Sequence, residues 1–291
     1  MSVETKLLHA TTPGAAVPVG GASRGTRGWV MIGSLLFMLV VAVLVLPELA
    51  PYGSEEVIPG ALLEPPGGSH LFGTDINRMD VFSRVLVAAR VDLGIVFVST
   101  IVAFGIGFPL GILSGYYAGA GTGVFLRVLD MVQAFPMLVL ALAIVALLGP
   151  GADNVIYAQI FVGTPIMVRV VRSEVVRLRE ERFVEAAIAT GNSDLRLLVR
   201  HIVPHALPVA LIQTTVLMAG ALILTTGLSF IGVGVSPPTA EWGSMVGLGS
   251  KDIASRDWWT IVFPGAAIAL SVVAFNLLGT MLRRQFPDGQ R

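Results

Sequence analysis

Apolar runs long enough to cross a lipid bilayer recur along this chain, at about 29–46, 92–115, 128–148, 155–172, 206–231 and 261–282. A helix rises 1.5 Å per residue, so the first run, about 18 residues, makes roughly 27 Å of helix, close to the ~30 Å of a bilayer core. Hydrophobic residues make up 54% of the chain, charged residues only 13%, and the mean hydropathy is +0.81. Soluble domains carry about a quarter charged residues. An all-α, polytopic membrane protein with six transmembrane helices is therefore expected.

Residues 1–28 are polar and rich in Gly, Thr, Ala and Pro, which reads as a disordered tail. The run 29–46 is long for the core of a secretory signal, and Pro47 and Pro51 stand where small cleavage-site residues belong, so it reads as a retained helix. From 47 to 91 Pro, Gly and acidic residues predominate, as in an external loop. Residues 92–282 read as the transmembrane domain and 283–291 as a second tail. The span 155–172 is the least regular, because Gln159, Pro165 and Arg169 interrupt it. Placing both termini in the cytoplasm puts thirteen of the nineteen basic residues on that side and five outside, which fits the excess of Lys and Arg in cytoplasmic loops.

The most densely charged stretch between spans is 171–205, where arginines are interspersed with acidic residues. Good helix formers run from Arg172 to Ala189, Thr190-Gly191-Asn192 ends that helix with Gly191 suited to positive φ, and Ser193 or Asp194 caps a second helix to His201. Two short helices meeting at a glycine bend are expected. Ala186 and Ala187 leave the first helix thin where Glu185 projects, a shape suited to a cleft on a partner, although a plain solvated loop has the same periodicity. In the second span Gly107, Gly111, Gly115 and Gly119 recur every fourth residue, a stripe that lets two helix backbones approach. Packing inside this subunit is favoured over a subunit interface.

The order Glu185-Ala186-Ala187, Gly191 and Pro204 resembles the cytoplasmic EAA loop of binding-protein-dependent ABC import permeases. Other segments resemble the branch serving dipeptides, oligopeptides and nickel: His70-Leu71-Phe72-Gly73-Thr74-Asp75, Gly115-Tyr116-Tyr117, Ala134-Phe135-Pro136, Arg200-His201-Ile202-Val203-Pro204 and Gly227-Leu228-Ser229-Phe230-Ile231-Gly232. The resemblance runs from about 70 to 282 and favours the "C" member of a permease pair. It implies a type I importer fold and a coupling helix in which Glu185, Ala186, Ala187, Gly191, His201 and Pro204 meet a cytoplasmic ATPase. It also implies a "B" permease partner, one or two ATPase subunits, an extracytoplasmic solute-binding protein, and a bacterial inner-membrane location. ATP and magnesium would be held by the ATPase subunits. Where the family usually reads Thr-Asp-x-x-Gly-Arg-Asp, this chain has Thr74-Asp75-Ile76-Asn77-Arg78-Met79-Asp80, and Thr280 replaces an acidic residue. Both departures leave coupling intact and bear on the substrate.

Glu241, Trp242, Asp257, Trp258 and Trp259, external in this topology, are candidate contacts for the binding protein, although Trp258 and Trp259 also suit an interfacial aromatic belt. No nucleic-acid partner is expected, since no basic stripe is visible. Cysteine is absent, which excludes disulfides and thiolate metal sites. The two lysines, Lys6 and Lys251, lie outside any phosphate-binding loop. A Gly-x-Ser-x-Gly match at 21–25 lies in the tail without a preceding strand, so no catalytic role is expected. A secondary carrier is the principal rival. Such proteins usually place ionisable groups at mid-membrane, whereas Asp130 and Arg169 fall near span ends.

Overall fold

A computed structural model describes residues 43–251 and 257–286 of the chain. Residues 43–45 are helical and lead into a 3-10 turn, Leu46–Leu49. The remainder of the first expected span and both tails lie outside the described residues. The helices are α1 (Val81–Tyr116), α2 (Ala120–Gln133), α3 (Met137–Leu148), α4 (Ala152–Arg179), α5 (Arg182–Ala189), α6 (Asp194–Leu197), α7 (Val203–Phe230), α8 (Trp242–Gly249) and α9 (Trp259–Gln285). Helices α1, α4, α9 and the continuous run Asp194–Phe230 are each long and apolar enough to cross a membrane. The fold is thus all-α, as expected.

The expected span 128–148 is a broken one. Helices α2 and α3 meet at 88° across Ala134–Pro136. Pro136 has no N–H to donate and disfavours helical geometry at Phe135, which accounts for the break. Helix α4, by contrast, runs unbroken through Pro165. Its interior polar residue Gln159 accepts from Ser99 Oγ at 2.5 Å and donates to Ala221 O at 3.0 Å and to Thr225 Oγ1, so α1 and α7 satisfy it.

Helix α1 begins at Val81, well before the expected 92, because residues that look unsuited to a span have partners. Asp80 caps it: Oδ2 accepts from Ser83 N at 2.8 Å and Ser83 Oγ at 2.7 Å, while Oδ1 pairs with His70 Nδ1 at 2.9 Å. Arg84 is buried and donates to Ser54 O at 2.6 Å and Pro238 O at 3.3 Å. Replacing Asp80 by alanine is expected to cost about 2–3 kcal/mol, roughly 1 for the cap and the remainder for leaving His70 and Ser83 without their acceptor. Thermal unfolding of the detergent-solubilised protein checks this. Asp80→Asn, which keeps an acceptor oxygen, should lose less.

The glycine stripe packs within the subunit. A Cβ on Gly107, Gly111 or Gly115 would lie 2.7, 2.6 or 2.7 Å from the Cβ of Met167, Val171 or Val175 on α4. Two four-residue ladders therefore run in register, and the helices meet backbone to side chain with no room for a methyl group. Gly119 is not part of this contact; nothing lies within 4 Å of its would-be Cβ. Around this seam the buried side chains form adjoining clusters. One joins α1, α7, α8 and α9 about Leu93, Leu222, Trp242 and Phe275. A second joins α1, α4 and α7 about Ile112, Met167, Ala206 and Ala210.

Candidate functional site

The polar segment between α4 and α7 is built on the ends of two long helices. At its start Arg177 bridges Glu174 at 2.7 Å and Glu181 at 2.9 Å. The single helix expected over Arg172–Ala189 is instead two, α4 and α5, separated at Glu180. Glu180 N and Glu181 N close a tight turn on Arg177 O and Leu178 O at 3.2 and 3.1 Å. That turn lets Val184 and Ala187 of α5 face Leu197 of α6 and Tyr116 at the end of α1, a small core of their own.

Helix α5 ends as the sequence suggests. Gly191 has φ +79°, its N–H donates to Ile188 O at 2.9 Å, and Asn192 N donates to Ala187 O at 3.3 Å. This is the Schellman pattern, in which glycine takes the left-handed position that side chains resist. Asn192 Nδ2 and Thr190 Oγ1 donate to the same Ala187 carbonyl at 2.8 and 2.9 Å. The turn is therefore rigid for reasons independent of any partner.

The second helix does not stop at His201. Helix α6 passes through a π turn, Leu198–Ile202, directly into α7, and Pro204 sits in the first turn of α7 without breaking it. Val203 N closes that wider turn by donating to Leu198 O, five residues back. His205 Nδ1 lies 2.6 Å from His201 O, and its ring stacks on Phe183 of α5 at 4.8 Å between centroids.

Of the six candidate coupling residues, Glu185, Ala186, Gly191 and Pro204 are exposed, His201 is half-buried, and Ala187 is buried against its own chain. Ala187 is thus corrected from a contact residue to a packing residue. Beside them the surface carries exposed apolar side chains that sequence periodicity does not single out, among them Ile188 at 57% and Leu195 at 71% exposure. Tyr116 was also missed as a support of this segment. Its phenol donates to Asp194 Oδ1 at 2.7 Å, and the Arg179 guanidinium lies 5.4 Å from its ring centroid, tying α6 to the ends of α1 and α4.

Residues 107–289 match the family model described as binding-protein-dependent transport system inner membrane component. A dipeptide transport system permease protein of Alkalihalophilus pseudofirmus is 37% identical over 88% of this chain and 83% of its own length. The chain belongs to this permease family. A di/tripeptide transport system permease protein of Pseudomonas aeruginosa is 37% identical over 87% of this chain and 86% of its own. A glutathione transport system permease protein of Pectobacterium atrosepticum is 34% identical over 89% and 87%. Among solved structures, a chain of the MetNI methionine ABC transporter superposes with a TM-score of 0.56 at 17% identity, covering 72% of this chain and 97% of its own. The permease thus has the fold of an ABC importer membrane subunit and is a multi-pass protein of the bacterial inner membrane.

At the other end of the permease, four of the five candidate binding-protein contacts prove to be interior. Glu241, Trp242, Asp257 and Trp259 are buried, and only Trp258 is exposed, at 53%. Glu241 caps α8 by accepting from Gly243 N at 2.9 Å and Ser244 N at 2.6 Å. Burial holds its carboxyl above the usual carboxylate range, against those two donors, which favour the ionised form. Trp242 N donates to Asp92 Oδ2 and Trp242 Nε1 to Val85 O, each at 3.0 Å, and Trp259 Nε1 donates to Thr74 O at 3.1 Å. These groups hold α8 and the segment before α1 onto the bundle. Polar and aromatic composition signalled an important segment but not which way it faces. Arg78, standing where the family resemblance places glycine, has φ +62°, a left-handed backbone that glycine adopts without strain.

Proposed function

We propose that this permease is the "C" subunit of an ATP-driven importer of dipeptides and oligopeptides. It forms the translocation path with a "B" permease and receives peptide from an extracytoplasmic binding protein. One or two cytoplasmic ATPases, holding ATP and magnesium, dock on the α5–Gly191–α6 surface. The observation that carries the coupling role is that surface itself. A rigid Schellman turn at the junction of two long helices presents Glu185, Ala186, Ile188 and Leu195 outward. Both flanking helices continue into the bundle, α4 directly and α6 through the π turn into α7, so displacement of the surface moves both. The peptide assignment rests on the names of the relatives that match most of the chain. The family resemblance also admits nickel or another small solute as cargo.

The test is purification and reconstitution. The permease should co-purify with a second permease and an ATPase, and the complex in proteoliposomes should accumulate labelled dialanine only with ATP and loaded binding protein. Accumulation by this chain alone, without a nucleotide-hydrolysing partner, would establish a secondary carrier instead.

A further inference from the structure

Charged side chains on the outside of a membrane helix need water or protein around them, because lipid accepts them poorly. Arg169 of α4 and Asp130 of α2 are such a pair. Arg169 Nη2 and Asp130 Oδ1 are 2.5 Å apart, yet the two side chains are 56% and 65% exposed. Helix α2 buries none of its residues, so this pair is a principal tie between it and the bundle.

One turn beyond Asp130 the chain bends by 88° into α3, and the bend covers a cavity of about 260 Å³ lined by Gln133, Phe135, Met137, Val162 and Ile166. Met137, Val162 and Ile166 also line a second cavity, of about 210 Å³, which carries Ser99, Gln159 and Gln213. The shared walls make one groove, mostly apolar, with three side-chain amides along it, and the ion pair stands one helical turn from two of its lining residues, Arg169 from Ile166 and Asp130 from Gln133. Among the described residues, Gln133 Nε2 is buried there without a hydrogen-bond partner. A buried amide N–H without an acceptor is unfavourable, and a ligand carbonyl would relieve it.

A short peptide offers the matching chemistry: backbone carbonyls, side chains of variable apolarity and a terminal carboxylate. We infer that the groove beneath the α2–α3 bend is a subsite for a short zwitterionic peptide, whose terminal carboxylate takes Arg169 from Asp130 while Gln133 donates to a peptide carbonyl. The inference rests on the peptide-importer reading above. A guanidinium binds a carboxylate through two parallel N–H donors, so exchange of one carboxylate for another conserves the interaction at Arg169. The release of Asp130 would free α2, coupling occupancy of the groove to movement of the bend.

The experiment uses the assembled transporter in nanodiscs without its binding protein, with labelled dialanine as probe and dialanine amide as competitor. The wild-type complex should bind dialanine, with the amide competing about tenfold more weakly, since it lacks the charge that Arg169 reads. Arg169→Gln should abolish that discrimination. Asp130→Asn, which removes the internal competitor, should tighten dialanine binding by about two- to fivefold, the worth of an exposed ion pair. Equal competition by the amide in wild type overturns the inference, as does unchanged or weaker binding by Asp130→Asn, the result for a purely structural clasp. Wild-type complexes that import dialanine from loaded binding protein but do not bind it in the nanodisc assay overturn the inference and leave the importer reading standing. Complexes that import no peptide overturn the importer reading itself.

Discussion

Leucine at position 111 is expected to prevent the permease from accumulating as a folded membrane protein. The Cβ alone would stand 2.6 Å from Val171 Cβ and 3.0 Å from Val168 O, one a branched side chain and the other backbone, so neither can move aside without separating the helices. Adding even one methylene to a tight core typically costs about 1–3 kcal/mol. A leucine here adds four carbons at the centre of the α1–α4 seam, and a loss above about 3 kcal/mol is a large share of the ~5–15 kcal/mol by which proteins are stable. The measurement is the yield of monodisperse protein after extraction in mild detergent. Gly119→Leu is the control. Among the described residues its Cβ meets nothing within 4 Å and its φ of 172° is extended backbone, so the change should cost no more than about 1 kcal/mol, the preference for glycine over leucine at a helix N-cap. Equal losses at 111 and 119 would show that the stripe contributes helix flexibility and not close approach.

The second large effect is expected at the proposed coupling surface. Gly191→Pro removes the N–H that donates to Ile188 O and imposes negative φ where +79° is required. The backbone conformation is worth roughly 1–2 kcal/mol and the hydrogen bond about 1, so the turn must be rebuilt and α5 displaced. Combined with Glu185→Lys, which reverses an exposed charge, ATP-dependent uptake should fall by about tenfold or more, the consequence of losing ~1.4 kcal/mol of docking energy. Because a Cβ at 191 would meet nothing within 4 Å among the described residues and Glu185 is exposed, the damage is confined to this turn and extraction yield should remain near wild type. Unchanged uptake by the double variant would remove this surface from coupling.

Ala187 provides a useful contrast with Glu185. Both belong to the motif that the family resemblance singles out, yet Glu185 faces outward and Ala187 lies against Leu197 and Tyr116. The motif's glycine bend is legible in the sequence, but which of its residues face out and which pack depends on where α6 and the end of α1 arrive. The same holds for Glu241 and Trp242. Their polar and aromatic character reads as surface until Asp92 and Val85 of α1 supply hydrogen-bond partners from far away in sequence.

What the chain determines locally follows from forces that act over a few residues. Apolar runs of bilayer length commit to helices, Pro136 breaks one of them, and Gly191 alone in its segment accepts the left-handed turn. The four-residue glycine spacing already implied a close helix contact. Only the tertiary structure decided that α4 is the partner and that the seam stops before Gly119. It likewise allowed a charged residue, the buried Arg84, to sit in the extra turns that carry α1 back to Val81. The physical reason is that burial and hydrogen-bond satisfaction are properties of a place in the fold: the same arginine or tryptophan is surface or core according to which distant backbone meets it.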